Sequence, residues 1–344
     1  MKNKNIISIA KAKDIDEIMK FIKNEWKKNH ILAVNKDFFL YEYGNQDLID
    51  FVISKNNDNE INGIQGFLKS SNDKNASVWT TMWSTSKSSS SPMLGVSMLN
   101  YLRMQGYRSV MSTGINEHTE EIYKYLGFSV GTLDQYFIPN KNLAKHKIAI
   151  LPKSILTKSL EINKNEKLIF KKINLNDIDK KFDFNKYSFK LPFKNFNYFK
   201  KRFFDHPIYS YDIYGVFDKS KLLSILVIRI NEYKNSTCMR VIDFYGEEST
   251  LSNFTWHLLQ IMHSAGHEYI DLFTKGLDKK IIAKAGFIKV NNKKSDMVIP
   301  NYFEPFVQCN ITIRYFTDAI ELKNLRIYKG DGDQDRPNFI TTGD

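Results

Sequence analysis

One order of segments occurs twice along this chain, and that repetition constrains the fold more than any single motif. In the first half, Ile6 to Ile9 reads as a strand. Asp14-Ile15-Asp16-Glu17 then opens an amphipathic helix to about Lys27, its acidic first turn suiting a helix N-terminus. Phe51 to Ser54 and Gly63 to Leu68 flank the polar turn 56–59, a hairpin signal. Ala76 to Trp83 is β-rich, 84–91 is a Ser-rich loop, and a helix follows from about Gly95 to Gln105. A strand at Ser109 to Thr113 and a helix from Glu117 to Leu126, closed by Gly127, complete the unit. The second half repeats the order: strands at Lys167 to Phe170, Asp212 to Phe217, Ser224 to Arg229 and Met239 to Phe244, a helix over 254–262, a strand at Tyr269 to Phe273, and a helix at Lys279 to Lys284 ending in Ala285-Gly286-Phe287. A repeat of this length is a domain duplication, and 344 residues suit two domains of roughly 100–200 residues each. The expected division is 1–145, a Lys/Asn-rich linker over 146–166, 167–300, and a C-terminal segment over 301–344. The expected class is α/β (α+β), each unit a mixed, mostly antiparallel sheet flanked by helices.

The residues for two cores are present, with 25 Phe and 18 Tyr and 42% of the chain hydrophobic. No apolar run approaches the roughly 18 residues that span a bilayer, and Met1 to Ile9 lacks a signal-length apolar stretch. A cytoplasmic location is the expectation. Cys238 and Cys309, without metal-ligand spacing, fit a reducing compartment. The net charge of +12 is spread along the chain without a Lys/Arg block, so it reads as a lysine-rich solvated surface or an attraction for anionic small molecules rather than a nucleic-acid footprint.

Residues 116–128 carry the most specific pattern: Asn116, Tyr123 seven residues on, then Gly127 and Phe128. This resembles the last conserved segment of the GNAT acyltransferases, so the chain reads as two tandem GNAT-like domains. The resemblance implies that the Tyr123 hydroxyl lies near a thioester sulfur and protonates the leaving thiolate, and that Asn116 contacts the pantetheine arm. It also implies acetyl-CoA or another acyl-CoA as co-substrate. The bland alternative is that Tyr123 covers a helix face and Gly127 caps it.

The family's pyrophosphate loop, Gln/Arg-x-x-Gly-x-Gly/Ala, points loop amides at phosphates from a helix N-terminus. Aligned on Met98-Leu99, it puts Ser90 in the Gln/Arg place, Met93 in the first Gly place and Gly95 in the second. Ser90, Ser91, Met93, Leu94, Gly95 and Val96 are thus the expected cofactor contacts, although only Gly95 matches. The Ser88–Ser91 hydroxyls and Lys87 can compensate. In the second half Ile282 holds the Tyr place and Lys275 the Asn place, so this unit reads as a degenerate GNAT domain without CoA chemistry.

Trp26, His30 and Phe38 to Tyr43, including Tyr41 and Glu42, stand where the family carries an acceptor-side helix and loop. Aromatics with a carboxylate suit a polyol, and an aromatic core patch is the alternative. His30 and His206 are candidate bases, Arg202 and Asp243 candidate substrate contacts. In the tail, Asp331-Gly332-Asp333-Gln334-Asp335-Arg336 fails as a calcium loop, since its sixth residue is Arg336 and its twelfth Thr342; no metal is expected. The tail reads either as a disordered acidic end or, with Asn301 to Phe306, as an ordered segment folding back over a cleft with Asp333, Asp335 and Arg336 on the substrate. The chain also resembles bacterial GNAT-like proteins of surface-polysaccharide and amino-sugar biosynthesis, over Trp26 to Tyr43, Arg202 to Pro207, Asn301 to Phe306 and Asp331 to Pro337. That resemblance implies N-acylation of an amino sugar, nucleotide-linked, with a homodimer left open. Two alternatives stand beside it. A Fem-type transferase using aminoacyl-tRNA is favoured by the charge and disfavoured by the missing helical arm. A non-catalytic GNAT-fold binding protein is the other.

Overall fold

The computed structural model describes residues 5–73, 75–87, 91, 93–157, 159–291 and 296–338. In chain order the strands are β1 (Ile6–Lys11), β2 (Gly44–Asn45), β3 (Leu48–Lys55), β4 (Ile61–Lys69), β5 (Ser77–Thr85), β6 (Ser109–Thr113), β7 (Ser129–Thr132), β8 (Asp134–Pro139), β9 (Ile169–Lys172), β10 (Asp212–Asp218), β11 (Lys221–Tyr233), β12 (Ser236–Gly246), β13 (Tyr269–Lys275), β14 (Ile288–Lys289), β15 (Arg314–Thr317) and β16 (Ile327–Tyr328). They build two eight-stranded, mostly antiparallel sheets flanked by helices. The first has the order β1-β3-β4-β5-β6-β15-β7, with β2 beside β3. The second has the order β9-β10-β11-β12-β13-β8-β14, with β16 beside β13.

The two orders are the same order. In each, two hairpin-connected strands lead to a parallel pair joined by a helix: β5 with β6 through Leu94–Arg103, and β12 with β13 through Leu251–Ala265. These crossovers are where the amphipathic periods lie, and their apolar faces (Leu94, Met98, Leu99, Leu102; Phe254, Leu258, Met262) fill the two helix-side cores.

The next position in each sheet belongs to the other half of the chain. β8 lies in the second sheet, paired antiparallel with β13 from Tyr269↔Pro139 to Thr274↔Asp134. β15 lies in the first sheet between β6 and β7. The expected division kept residues 134–139 with the first unit and 314–317 outside both. Their hydrogen bonds join each to the sheet of the other half, and they hold the same, sixth, place in the two strand orders. The exchange is cohesive because both strands carry large buried side chains: Phe137, Ile138, Tyr315 and Phe316 are each under 5% exposed. Each such side chain is worth about 1.5–3 kcal/mol on burial. Between the sheets, Trp79, Met111 and Tyr315 meet Phe273, Leu191, Leu325 and Ile327 in one cluster.

The segment read as a linker is also built in. Glu268, 2% exposed, accepts from the amides of Lys147, Ile148 and Ala149. The acidic tail is ordered through Asn338, and Asp331 and Asp335 are buried. Cys238 and Cys309 are free thiols. Among the described residues, no helix is long and apolar enough to cross a membrane.

Candidate active site between the two units

Parallel pairing between β5 and β6 lasts only from Ser77↔Ser109 to Trp79↔Met111. Beyond it β5 bulges. Ile64 pairs with Ser84 and Gly66 with Thr81, so Met82 and Trp83 together oppose Gln65. Met82 holds a φ of 43°, a strained value for an unbranched non-glycine residue. The two strands separate toward their C-terminal ends, the side of an α/β sheet where ligands bind. Helix 94–103 starts at that end, and no side chain among the described residues caps it.

The second sheet has the same opening, filled by protein. Ile228 pairs with Val241 and Val227 with Asp243, leaving Ile242 bulged, and the β12–β13 pairing ends at Val241↔Leu272. There β16 adds to β13 at Thr274 and Lys275, and the Gly330 amide donates to the Ile242 carbonyl at 2.7 Å. Glu247 and Glu248 precede helix 251–265, and Glu248 binds Lys190 and Arg326. Glu247 is likewise paired, with Lys186 at 3.3 Å. Among the described residues, no strand is inserted in the gap of the first unit.

The residues expected around a cofactor have mixed placements. Ser90 lies outside the described residues. Met93 is exposed, Leu94 is core, and Gly95 and Val96 are half-buried in the first helical turn. Gly95 has a packing reason to be glycine: a Cβ there would lie 2.8–2.9 Å from the Trp83 indole. Gly95→Ala is therefore expected to lower stability by about 1–3 kcal/mol through overpacking. Urea denaturation reads this directly, and an unchanged midpoint would show that the indole yields freely. Asn116 uses its Oδ1 to cap the turn at 117–119, accepting from the His118 amide at 3.0 Å. The Tyr123 ring is 4% exposed, packed 4.2 Å from Phe316 and 5.8 Å from Trp83, and its hydroxyl meets Thr119. Burial raises its pKa, which keeps it in the proton-donating form. Thus Tyr123 both covers a helix face and adjoins the gap.

The expected acceptor-side residues gather around two cavities along the tail. A cavity of about 790 Å³ is lined by Tyr41, Glu42, Arg202, Gly330 and Gly332, but it lies toward the closed ends of β5 and β6, beside Trp79 and Tyr107. A smaller one, about 280 Å³, is lined by Trp26, His30, Asp333, Gln334 and Arg336 from one side and by Arg229, Asn301, Glu304 and Lys329 from the other. It is the one at the open end: the Gln334 side chain lies against Gly114, just past β6, and donates to the Thr113 carbonyl.

Not all of these side chains are free to meet a substrate. Asp243 is fully buried, 2.7 Å from Lys194 Nζ, which also holds Asp331 at 2.9 Å. Asp335 is held by Arg229 at 2.7 Å and by the Tyr211 hydroxyl, so it supports the site from behind. Glu42 sits 2.8 Å from Arg336 and 3.6 Å from Arg202. The tail aspartates each face a cation, and no group of metal-binding side chains occurs among the described residues.

The two histidines present donors. The Leu32 amide donates to His30 Nδ1, and the Ile208 and Tyr209 amides donate to His206 Nδ1. A neutral ring accepting at Nδ1 carries its proton on Nε2. Both rings are held neutral. Burial, with Arg336 nearby, lowers His30 to about 4, and burial with Arg202 nearby lowers His206 to about 3. His206 Nε2 is buried without a partner among aromatic rings. Lys329, Arg229 and Glu304 were not among the expected site residues, although Glu304 lies in the stretch Asn301 to Phe306 that was expected to fold back; the folding back of 301–338 brings them to the first unit.

Two mixed sheets in tandem, each splayed after a parallel pair that a helix joins, give a fold similar to that of solved GCN5-related N-acetyltransferases. The GCN5-related N-acetyltransferase from Anabaena variabilis is similar over 93% of this chain and 74% of its own, with a TM-score of 0.58 at 9% identity. A probable N-acyltransferase from Enterococcus faecalis, described as a conserved protein of unknown function, is similar over 93% and 74%, with 0.54 at 7%. The GCN5-related N-acetyltransferase from Kribbella flavida is similar over 92% and 71%, with 0.52 at 8%. No family model and no curated protein matches the sequence.

Proposed function

We propose that this protein is an N-acyltransferase that moves an acyl group from acyl-CoA to the amine of a small acceptor. The observation that carries the reading is the asymmetry of the two gaps. The one between β12 and β13 is closed by β16, while the one between β5 and β6 has no strand inserted among the described residues and ends beside Gln334, which lines the polar 280 Å³ cavity. In this reading the thioester lies in the gap with its pyrophosphate at the first turn of helix 94–103. The acceptor amine loses its proton toward Asp333 and attacks the thioester carbonyl. A backbone N–H at the β5 bulge steadies the oxyanion. The C–S bond breaks, and Tyr123 protonates the thiolate. His30 donates from Nε2 to an acceptor hydroxyl instead of taking a proton.

The acceptor is an amino sugar. Half-exposed Trp26 at the rim offers a stacking face, and the cavity volume suits a monosaccharide-sized group, with any linked nucleotide lying outside it. An acetyl group is the simplest donor for so confined a space.

Acetyl-CoA titration by calorimetry is expected to give saturable binding. Val96→Glu places a negative charge in the first turn, which favours the helix but repels a pyrophosphate. The variant is expected to lose at least about tenfold in affinity with little change in melting temperature. Absence of binding to the wild type, or undiminished binding to the variant, rejects the reading.

A further inference from the structure

Every arginine that lines the cavity has its counter-charge within the protein. Arg240 is bound by Asp271 at 2.7 Å and donates to the carbonyls of Pro300 and Asn301. Arg229 is bound by Asp335, and Arg336 by Glu42 and Asp333. Lys329 differs. It is 2% exposed, lines the cavity, and its Nζ has no hydrogen-bond partner. Its ammonium lies toward two rings, Phe273 at 5.7 Å and Tyr302 at 5.8 Å. Beside it Asn301, also 2% exposed and lining the cavity, leaves both Oδ1 and Nδ2 unpartnered. Buried polar groups are normally satisfied, so two unsatisfied side chains lining one cavity offer their polar groups to what that cavity binds. The cavity lining holds five cationic side chains and two carboxylates, Glu304 and Asp333.

We infer that Lys329 and Asn301 form an oxyanion-binding subsite, which takes a carboxylate or phosphate group of the molecule that fills the cavity. The ammonium supplies charge and the Asn301 amide N–H a directed donor, while Asn301 Oδ1 accepts from a hydroxyl or a protonated oxygen of the same group. Assigning this anion to the acceptor rests on the transferase reading, and it makes that acceptor an acidic amino compound with its amine toward Asp333. The subsite itself does not depend on that reading.

The site also carries a pH signature. Lys329 faces Arg240 of β12, Arg229 of β11, Asp271 of β13 and Asp335 of the tail. Burial, with Arg240 next, lowers its pKa to about 7. An anion stabilises the charged form, so binding takes up a proton and weakens as pH rises through about 7.

The test uses the full chain and two simple probes, inorganic phosphate and acetate, in buffers matched in ionic strength with chloride. Calorimetry and thermal shift are expected to show saturable binding of one probe, and which one binds assigns the group as phosphate or carboxylate. Lys329→Met is expected to lose at least about tenfold in that affinity. It is also expected to melt higher than the wild type, because a buried unpaired amine becomes an apolar chain of similar length. Asn301→Leu provides a second variant should Lys329→Met fail to fold. Neither probe binding better than chloride, or undiminished binding in the variants, overturns the inference. Acetyl-CoA binding without anion binding removes only this inference, and anion binding without acetyl-CoA binding removes only the transferase reading.

Discussion

A chain ended at residue 300 is expected to have no cooperative unfolding transition, although it retains fourteen of the sixteen strands. The missing segment supplies β15, which stands between β6 and β7 and pairs with both. Without it β7 has no neighbour in its sheet and Phe316 leaves the cluster of Tyr123 and Phe128. The second sheet loses β16 and the Gly330 amide at the Ile242 carbonyl, and Lys194 loses Asp331. These losses exceed the roughly 5–15 kcal/mol by which a domain is stable. For the same reason, residues 167–300 alone lack β8 and are expected not to fold. The intact chain should melt in one transition, because each sheet contains a strand from the other half. Circular dichroism melts of the three chains decide this. A truncated chain that melts cooperatively within a few degrees of the intact one would show that the exchanged strands are accessory.

The second large effect is expected at Lys194. This ammonium is 1% exposed and lies 2.7 Å from Asp243 and 2.9 Å from Asp331, both fully buried. A lone buried charge costs far more than a paired one. Lys194→Met leaves two carboxylates facing each other without a cation, and the expected loss is about 3–5 kcal/mol at pH 8. The sign of the pH dependence follows from the carboxyls. Burial raises Asp331 from the usual 3.8 to about 6, with Lys194 opposing the rise. A raised carboxyl favours the folded state fully below its ordinary value, and that contribution disappears as pH climbs through the folded value. Removing the ammonium takes away the charge that opposes the rise at Asp331. The defect of the variant should therefore shrink at pH 5, where the pair can share a proton. Urea denaturation at the two pH values reads the difference. A loss below about 1 kcal/mol at pH 8 would mean that the triad relaxes or admits water. Adding Asp331→Asn to the variant should recover part of the loss.

Much of the fold was legible in the chain because its signals are local. The hairpin turn at 56–59, the amphipathic stretches of helices 94–103 and 251–265, and Gly127 and Gly286 at positive φ all depend on residues within a few positions of each other. Helix Lys279–Lys284 falls where the spacing put it. The duplication followed from the order of these signals alone, and so did the expectation of two mixed sheets.

What tertiary structure decided is everything that depends on partners far apart in sequence. Short strands such as β8 and β15 carry the same apolar pattern whichever sheet they enter, so periodicity cannot tell exchange from local pairing. The residue types at 30, 206, 243 and 335 were visible as candidates, but their roles depend on what they face. Two amides hold His206 Nδ1, Lys194 takes Asp243, and Arg229 takes Asp335. Lys329 stands in a chain with 50 lysines and arginines, and the aspartates that follow it drew attention to themselves and not to it. It became distinct only where the tail passes between the units, its ammonium buried without a hydrogen-bond partner and the aspartates it faces already paired with Arg229 and Arg240.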